Sequence, residues 1–107
     1  MTLKELQNFI KKEHERMVKR SKKSEGQEKR TLFRTIKLME EIGELCEEIL
    51  GFNATQRKEK IRKKNKEKLS EELADVLIVA LLLAENLEID AFKAVEKKIR
   101  KIDKRYK

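Results

Sequence analysis

The sequence predicts an all-α protein, a single four-helix bundle-like domain that assembles with copies of itself. Three observations carry this. The 107 residues include no proline and three glycines, so breakers of regular structure are nearly absent. Charged residues make up 45% of the chain, and Leu, Ile, Lys and Glu, all compatible with helices, dominate the composition. Apolar residues recur at helical rather than alternating spacing.

Each element follows from local signals. Thr2 is placed to cap a first helix whose apolar side is Leu3, Leu6, Phe9, Ile10, Met17 and Val18. That helix frays into a charged connector, residues 21–30, sequence SKKSEGQEKR. Thr31 starts a second helix with Leu32, Thr35, Leu38, Met39, Ile42, Leu45, Cys46 and Ile49 on one face. Gly51 is expected to close it as a left-handed cap, with Phe52 folding back onto the last turn. Residues 53–68 form a second connector, in which Arg57 to Lys68 holds eight basic residues in twelve and is an exposed helical turn or a mobile loop. Ser70 caps a third helix to about Glu88, Ile89 and Asp90 make a break, and Asp90 caps a fourth helix through Phe92, Val95, Ile99 and Ile102. From Leu73 to Leu83 the third helix is apolar around its circumference. Such a helix demands cover on all sides, which three amphipathic neighbours supply incompletely; a homodimer or homotetramer completes it.

Composition narrows the function. The start MTLKELQNFIKK has no apolar signal segment, and the longest apolar run, Val76 to Ala84, is nine residues, far short of the roughly 20 that cross a bilayer. The lone Cys46 fits a reducing cytoplasm. A net charge of +8 suits a polyanionic partner, although a solvated Lys/Glu surface accounts for most of the lysines. Aromatics are 5% of residues, which disfavours stacking on single-stranded nucleic acid.

Two carboxylate pairs stand out. Glu72 and Asp75 sit one turn apart at the head of the greasy third helix, and Glu41 and Glu44 are spaced the same way on the second. On a helical wheel Lys37, Glu41, Glu44 and Glu48 form a stripe beside the apolar face, with Glu40 and Glu47 further out. Four acids meeting between packed helices repel one another. Either lysines neutralise them or hard divalent cations do, since clustered carboxylate oxygens are natural ligands for Mg²⁺. Four negative charges match two such ions, and the second pair, on a helix without a solvent face, favours the metal. Zinc and di-iron chemistry lack their histidines: the one histidine, His14, reads as a surface residue and Cys46 as core.

With Glu41-Ile-Gly-Glu44 and Glu72-Leu-Ala-Asp75 in KLMEEIGEL and EELADVLIVALLLAENLEID, and with the ending KKIRKIDKRY, the chain resembles the MazG-like nucleotide pyrophosphohydrolases of the all-α NTP pyrophosphatase superfamily. The likeness covers about Leu32 to Tyr106. It implies Mg²⁺-dependent hydrolysis, with Mn²⁺ a substitute, of a nucleoside or deoxynucleoside triphosphate to the monophosphate and pyrophosphate, a nucleotide-pool cleaning activity. Glu41, Glu44, Glu72 and Asp75 would be the metal ligands, and Glu41 or Glu44 would also orient or deprotonate the attacking water. Lys37, Glu40, Lys98, Arg105 and Tyr106 match family positions on the substrate side. Ile102 stands where many members carry a polar residue, commonly Asn, and the insert 53–68 is long. Two other readings stay open: phosphoribosyl-ATP pyrophosphohydrolase of the same superfamily, and a non-catalytic basic module binding nucleic acid through Arg57 to Lys68.

Overall fold

A computed structural model describes residues 1–21, 26–54 and 59–106, with side chains of 52–54 and 59–64 outside the description. The chain is all-α: α1 (Leu3–Arg20), α2 (Gln27–Ala54), α3 (Glu59–Asn86) and α4 (Ala91–Lys104) follow one another, with no strand among the described residues. Among the described residues no helix is long and apolar enough to cross a membrane. Two compact units are present, one of Met1–Thr31 with Leu81–Lys107, the other of Leu32–Ala80.

In the first unit both expected caps form. The Thr2 side chain accepts the Glu5 N–H at 3.1 Å and the Asp90 carboxylate accepts the Lys93 N–H at 3.1 Å, satisfying donors that a helix N-terminus leaves open. Among the described residues the buried hydrophobic side chains are Ile10 and Leu82. The carboxamide of Asn86, 2% exposed, ties the start of α2 to the end of α3. Its Nδ2 donates to Thr31 Oγ1 at 2.6 Å and to the Gln27 carbonyl at 3.2 Å, and its Oδ1 accepts from Arg30 Nε at 3.3 Å. Gln27 Nε2 answers by donating to the Asn86 carbonyl at 2.7 Å. A cleft of about 470 Å³ opens on this unit, floored by Ile10, Leu81, Ile89 and Phe92 and edged by Glu85 and Glu88.

The corner between α3 and α4 is a Schellman motif. Ile89 N–H donates to the Ala84 carbonyl and Glu88 N–H to that of Glu85, with Glu88 in the left-handed region at φ 59°. A glycine normally takes that place; here a glutamate bears the Cβ crowding.

Several sequence expectations shift. Gly51 does not close α2, which runs on to Ala54, and no described glycine has positive φ; a glycine costs a helix interior only about 1 kcal/mol, so flanking helix formers carry through it. The expected Phe52 contact lies outside the described side chains. The second helix begins at Gln27, inside the first expected connector, whose residues 22–25 lie outside the description. Ser70 is not a cap: α3 starts at Glu59, and the Ser70 hydroxyl donates back to the Lys66 carbonyl at 2.9 Å, the alternative open to a mid-helix serine. The basic stretch is therefore helical from Glu59 onward, while 55–58 lie outside the description. Cys46 is exposed rather than core, as are Met39, Ile42 and Ile49 on the same side of α2, so that side is not packed among the described residues. His14 is half-buried rather than a surface residue.

Candidate metal centre

The second unit holds both carboxylate pairs. On α2, Lys37, Glu41 and Glu44 follow at helical spacing; on α3, Glu72 and Asp75 do the same. The helices approach antiparallel here, since Glu41 meets Glu72 and Asp75 while Glu48, further along α2, takes an ion pair from the earlier Lys68 at 2.9 Å. One carboxylate oxygen each from Glu41, Glu72 and Asp75 lie within 4.8 Å of one another. Glu41 is buried at 6% exposure, Glu72 half-buried and Asp75 exposed, so the group grades from interior to solvent.

Electrostatics mark Glu72 as the strained member. Burial, then the charges of Glu44, Glu41 and Asp75, and a hydrogen bond shared with Glu44, hold its carboxyl above the ordinary glutamate value. Glu44, exposed, is not among the three residues whose oxygens converge. Compensation is one-sided: Lys37 Nζ contacts Glu41 Oε1 at 3.0 Å. This hydrogen bond and the Glu41 charge, with smaller help from Glu40 and Glu44, raise the Lys37 pKa, so its ammonium persists at neutral pH. Among the described residues Glu44, Glu72 and Asp75 form no ion pair with a cationic side chain. Glu41 Oε2 and Glu72 Oε2 are buried with no hydrogen-bond partner. A buried carboxylate oxygen without a donor costs on the order of 1–3 kcal/mol or more. The donor set is carboxylate only, the oxygen chemistry that hard cations take. These residues fit Mg²⁺ or Mn²⁺ and give nothing that would select zinc.

The remaining sequence-predicted residues are distributed. Glu40 is exposed on α2 beside Lys37. Lys98, Arg105 and Tyr106 are exposed and belong to the first unit, on or just past α4. Sequence reading passed over Arg34, a guanidinium buried at 5% exposure one turn before Leu38, and Asn86. A buried Arg on a Lys/Glu-rich helix has no signal in spacing alone; it shows only once the helix is packed.

Against known proteins, the model of the MazG-like family matches residues 33–107, a span that takes in all four acids. No curated protein matches the chain, and no solved structure does.

Proposed function

Since the chain belongs to the MazG-like family, which makes a nucleotide pyrophosphohydrolase its general class, we propose that it hydrolyses nucleoside or deoxynucleoside triphosphates to the monophosphate and pyrophosphate with Mg²⁺. One observation supports this above the others: Glu41, Glu72 and Asp75 gather carboxylate oxygens within 4.8 Å, yet two of their oxygens are buried without a donor. A structural ion-pair network would have supplied lysines to all of them.

Glu41, Glu72 and Asp75 would hold the cation, and Glu44, whose charge acts on Glu72, would join them. When bound, hard divalent cations neutralise phosphate oxygens and acidify water. The chain's own groups do the rest. Glu44, exposed at the edge of the cluster, orients a water and accepts its proton. Lys37, in an ion pair with Glu41, meets the phosphate chain as a point charge, and Glu40 lines the approach. The α-phosphorus is attacked in line and the pyrophosphate leaves.

A panel of NTPs and dNTPs, assayed with Mg²⁺ for pyrophosphate against phosphate release, tests the reading. Pyrophosphate as the sole inorganic product supports it. Phosphate release, or no turnover of any nucleotide with Mg²⁺ or Mn²⁺, overturns it.

A further inference from the structure

The ion pair at the edge of the acid cluster is built to come apart. Lys37 and Glu41 stand one turn apart on α2, so their contact at 3.0 Å needs no help from another helix. The lysine precedes the glutamate, which is the weaker of the two orders for such a pair along a helix. The two ends are also unequal: the Glu41 side chain is buried, while the Lys37 side chain is 56% exposed. The carboxylate is therefore the fixed anchor, and the ammonium reaches it on a flexible four-carbon stem.

Glu41 is the most buried of the three acids whose oxygens converge. Among the described residues, Lys37 is the cationic side chain that forms an ion pair with any of them. It takes Oε1, while Oε2 is buried without a hydrogen-bond partner. A carboxylate this deep is costly without positive charge beside it. A divalent ion held by Glu41 would meet an ammonium already on the same carboxylate, and like charges so close repel. Lys68 makes the contrast: it clasps Glu48 at 2.9 Å and feels the Glu72 charge, yet it pairs with none of the three converging acids.

We propose that Lys37 is a placeholder cation: it balances Glu41 until a divalent ion displaces it, and metal entry is the event that frees its ammonium for the substrate phosphates. The inference rests on the reading of the acids as a Mg²⁺ site and adds an order to it, metal first and Lys37 second. Competition for one carboxylate means that the lysine weakens metal binding when no nucleotide is present. A residue that helped to build the metal site would do the opposite.

Titration calorimetry of the full-length chain with Mg²⁺ alone tests this. Lys37→Met keeps the stem and removes the charge, and should bind Mg²⁺ about threefold tighter or more, the scale set by deleting a half-exposed ion pair. Lys37→Arg keeps the charge and should bind no tighter than the parent chain, and Lys68→Met should gain less than Lys37→Met. Circular dichroism confirms that each variant is folded. The parent chain gives a second reading that needs no variant: in nuclear magnetic resonance spectra with isotope-labelled lysine, Mg²⁺ should move the Lys37 side-chain signal and leave that of Lys68 in place. A Lys37→Met chain that binds no tighter than the parent, an equal gain from Lys37→Arg or Lys68→Met, or an unmoved Lys37 signal overturns the placeholder and leaves the Mg²⁺ site standing. A parent chain that binds no Mg²⁺ overturns the site itself, and the placeholder with it.

Discussion

Replacing Asn86 by alanine tests how the ends of α2 and α3 are held. The side chain makes three hydrogen bonds, to Thr31 Oγ1, the Gln27 carbonyl and Arg30 Nε. At about 1 kcal/mol each for buried bonds, with the charged but long Arg30 contact no stronger, the loss is about 3 kcal/mol. With an unfolding entropy of about 2.1 cal/mol/K per residue, 3 kcal/mol lowers the melting temperature of a chain this size by about 13 °C. Gln27→Ala is the internal control: its carboxamide makes one bond to the Asn86 backbone, so its cost is about 1 kcal/mol. Urea unfolding at one fixed protein concentration, followed by circular dichroism, measures both, because association shifts apparent stability. Equal losses for the two variants, or a loss under about 1 kcal/mol for Asn86→Ala, would refute the assignment of this side chain as the tie.

Asp75→Asn should abolish both turnover and the rise in melting temperature produced by about 10 mM Mg²⁺, while the metal-free fold survives because one of several repelling charges is gone; unfolding of the metal-free variant would instead favour a structural role. Glu72 gives a pH test. Its folded pKa is raised above 4.5, so its stabilising contribution is complete below that value and is lost as pH climbs through the raised pKa. On acidification from neutrality toward about 4.5 the metal-free protein should therefore gain stability relative to Glu72→Gln, measured as the gap between their urea midpoints. Conversely, Mg²⁺ affinity should fall over the same range, read by titration calorimetry. Glu88→Gly relieves a left-handed non-glycine residue and should raise stability by roughly 0.5–1 kcal/mol; a lower urea midpoint would show that the Glu88 side chain contributes something the backbone does not reveal.

How much of this was legible beforehand depended on which physics wrote each feature. Caps depend on one side chain and its nearest backbone donors, so Thr2 and Asp90 could be read directly. Four helices followed from periodicity, and the pairing of ExxE with ExxD marked Glu41, Glu44, Glu72 and Asp75 as a set. What hid from the sequence was tertiary. The first third of α3 has almost no apolar face, so its helicity rests on the propensity of Lys, Arg and Glu, which spacing does not report. Gly51 looked like the natural left-handed stop and Glu88 like the approximate end of the third helix, yet the left-handed residue is Glu88. Whether Glu41 or Asp75 is the interior member depends on how two helices approach, and a helical wheel cannot see that. The partnered interior of Asn86 is the same kind of information: an asparagine ending a greasy run reads as a boundary until its three partners are seen.

So thin an interior has a consequence for the living cell. If a fold whose hidden hydrophobic side chains are Ile10 and Leu82 among the described residues draws cohesion from copies of itself, its survival follows mass action. Newly made chains would then be most vulnerable to proteases while scarce, and surplus copies would protect one another. Gene dosage, not sequence alone, would decide how long each molecule lasts.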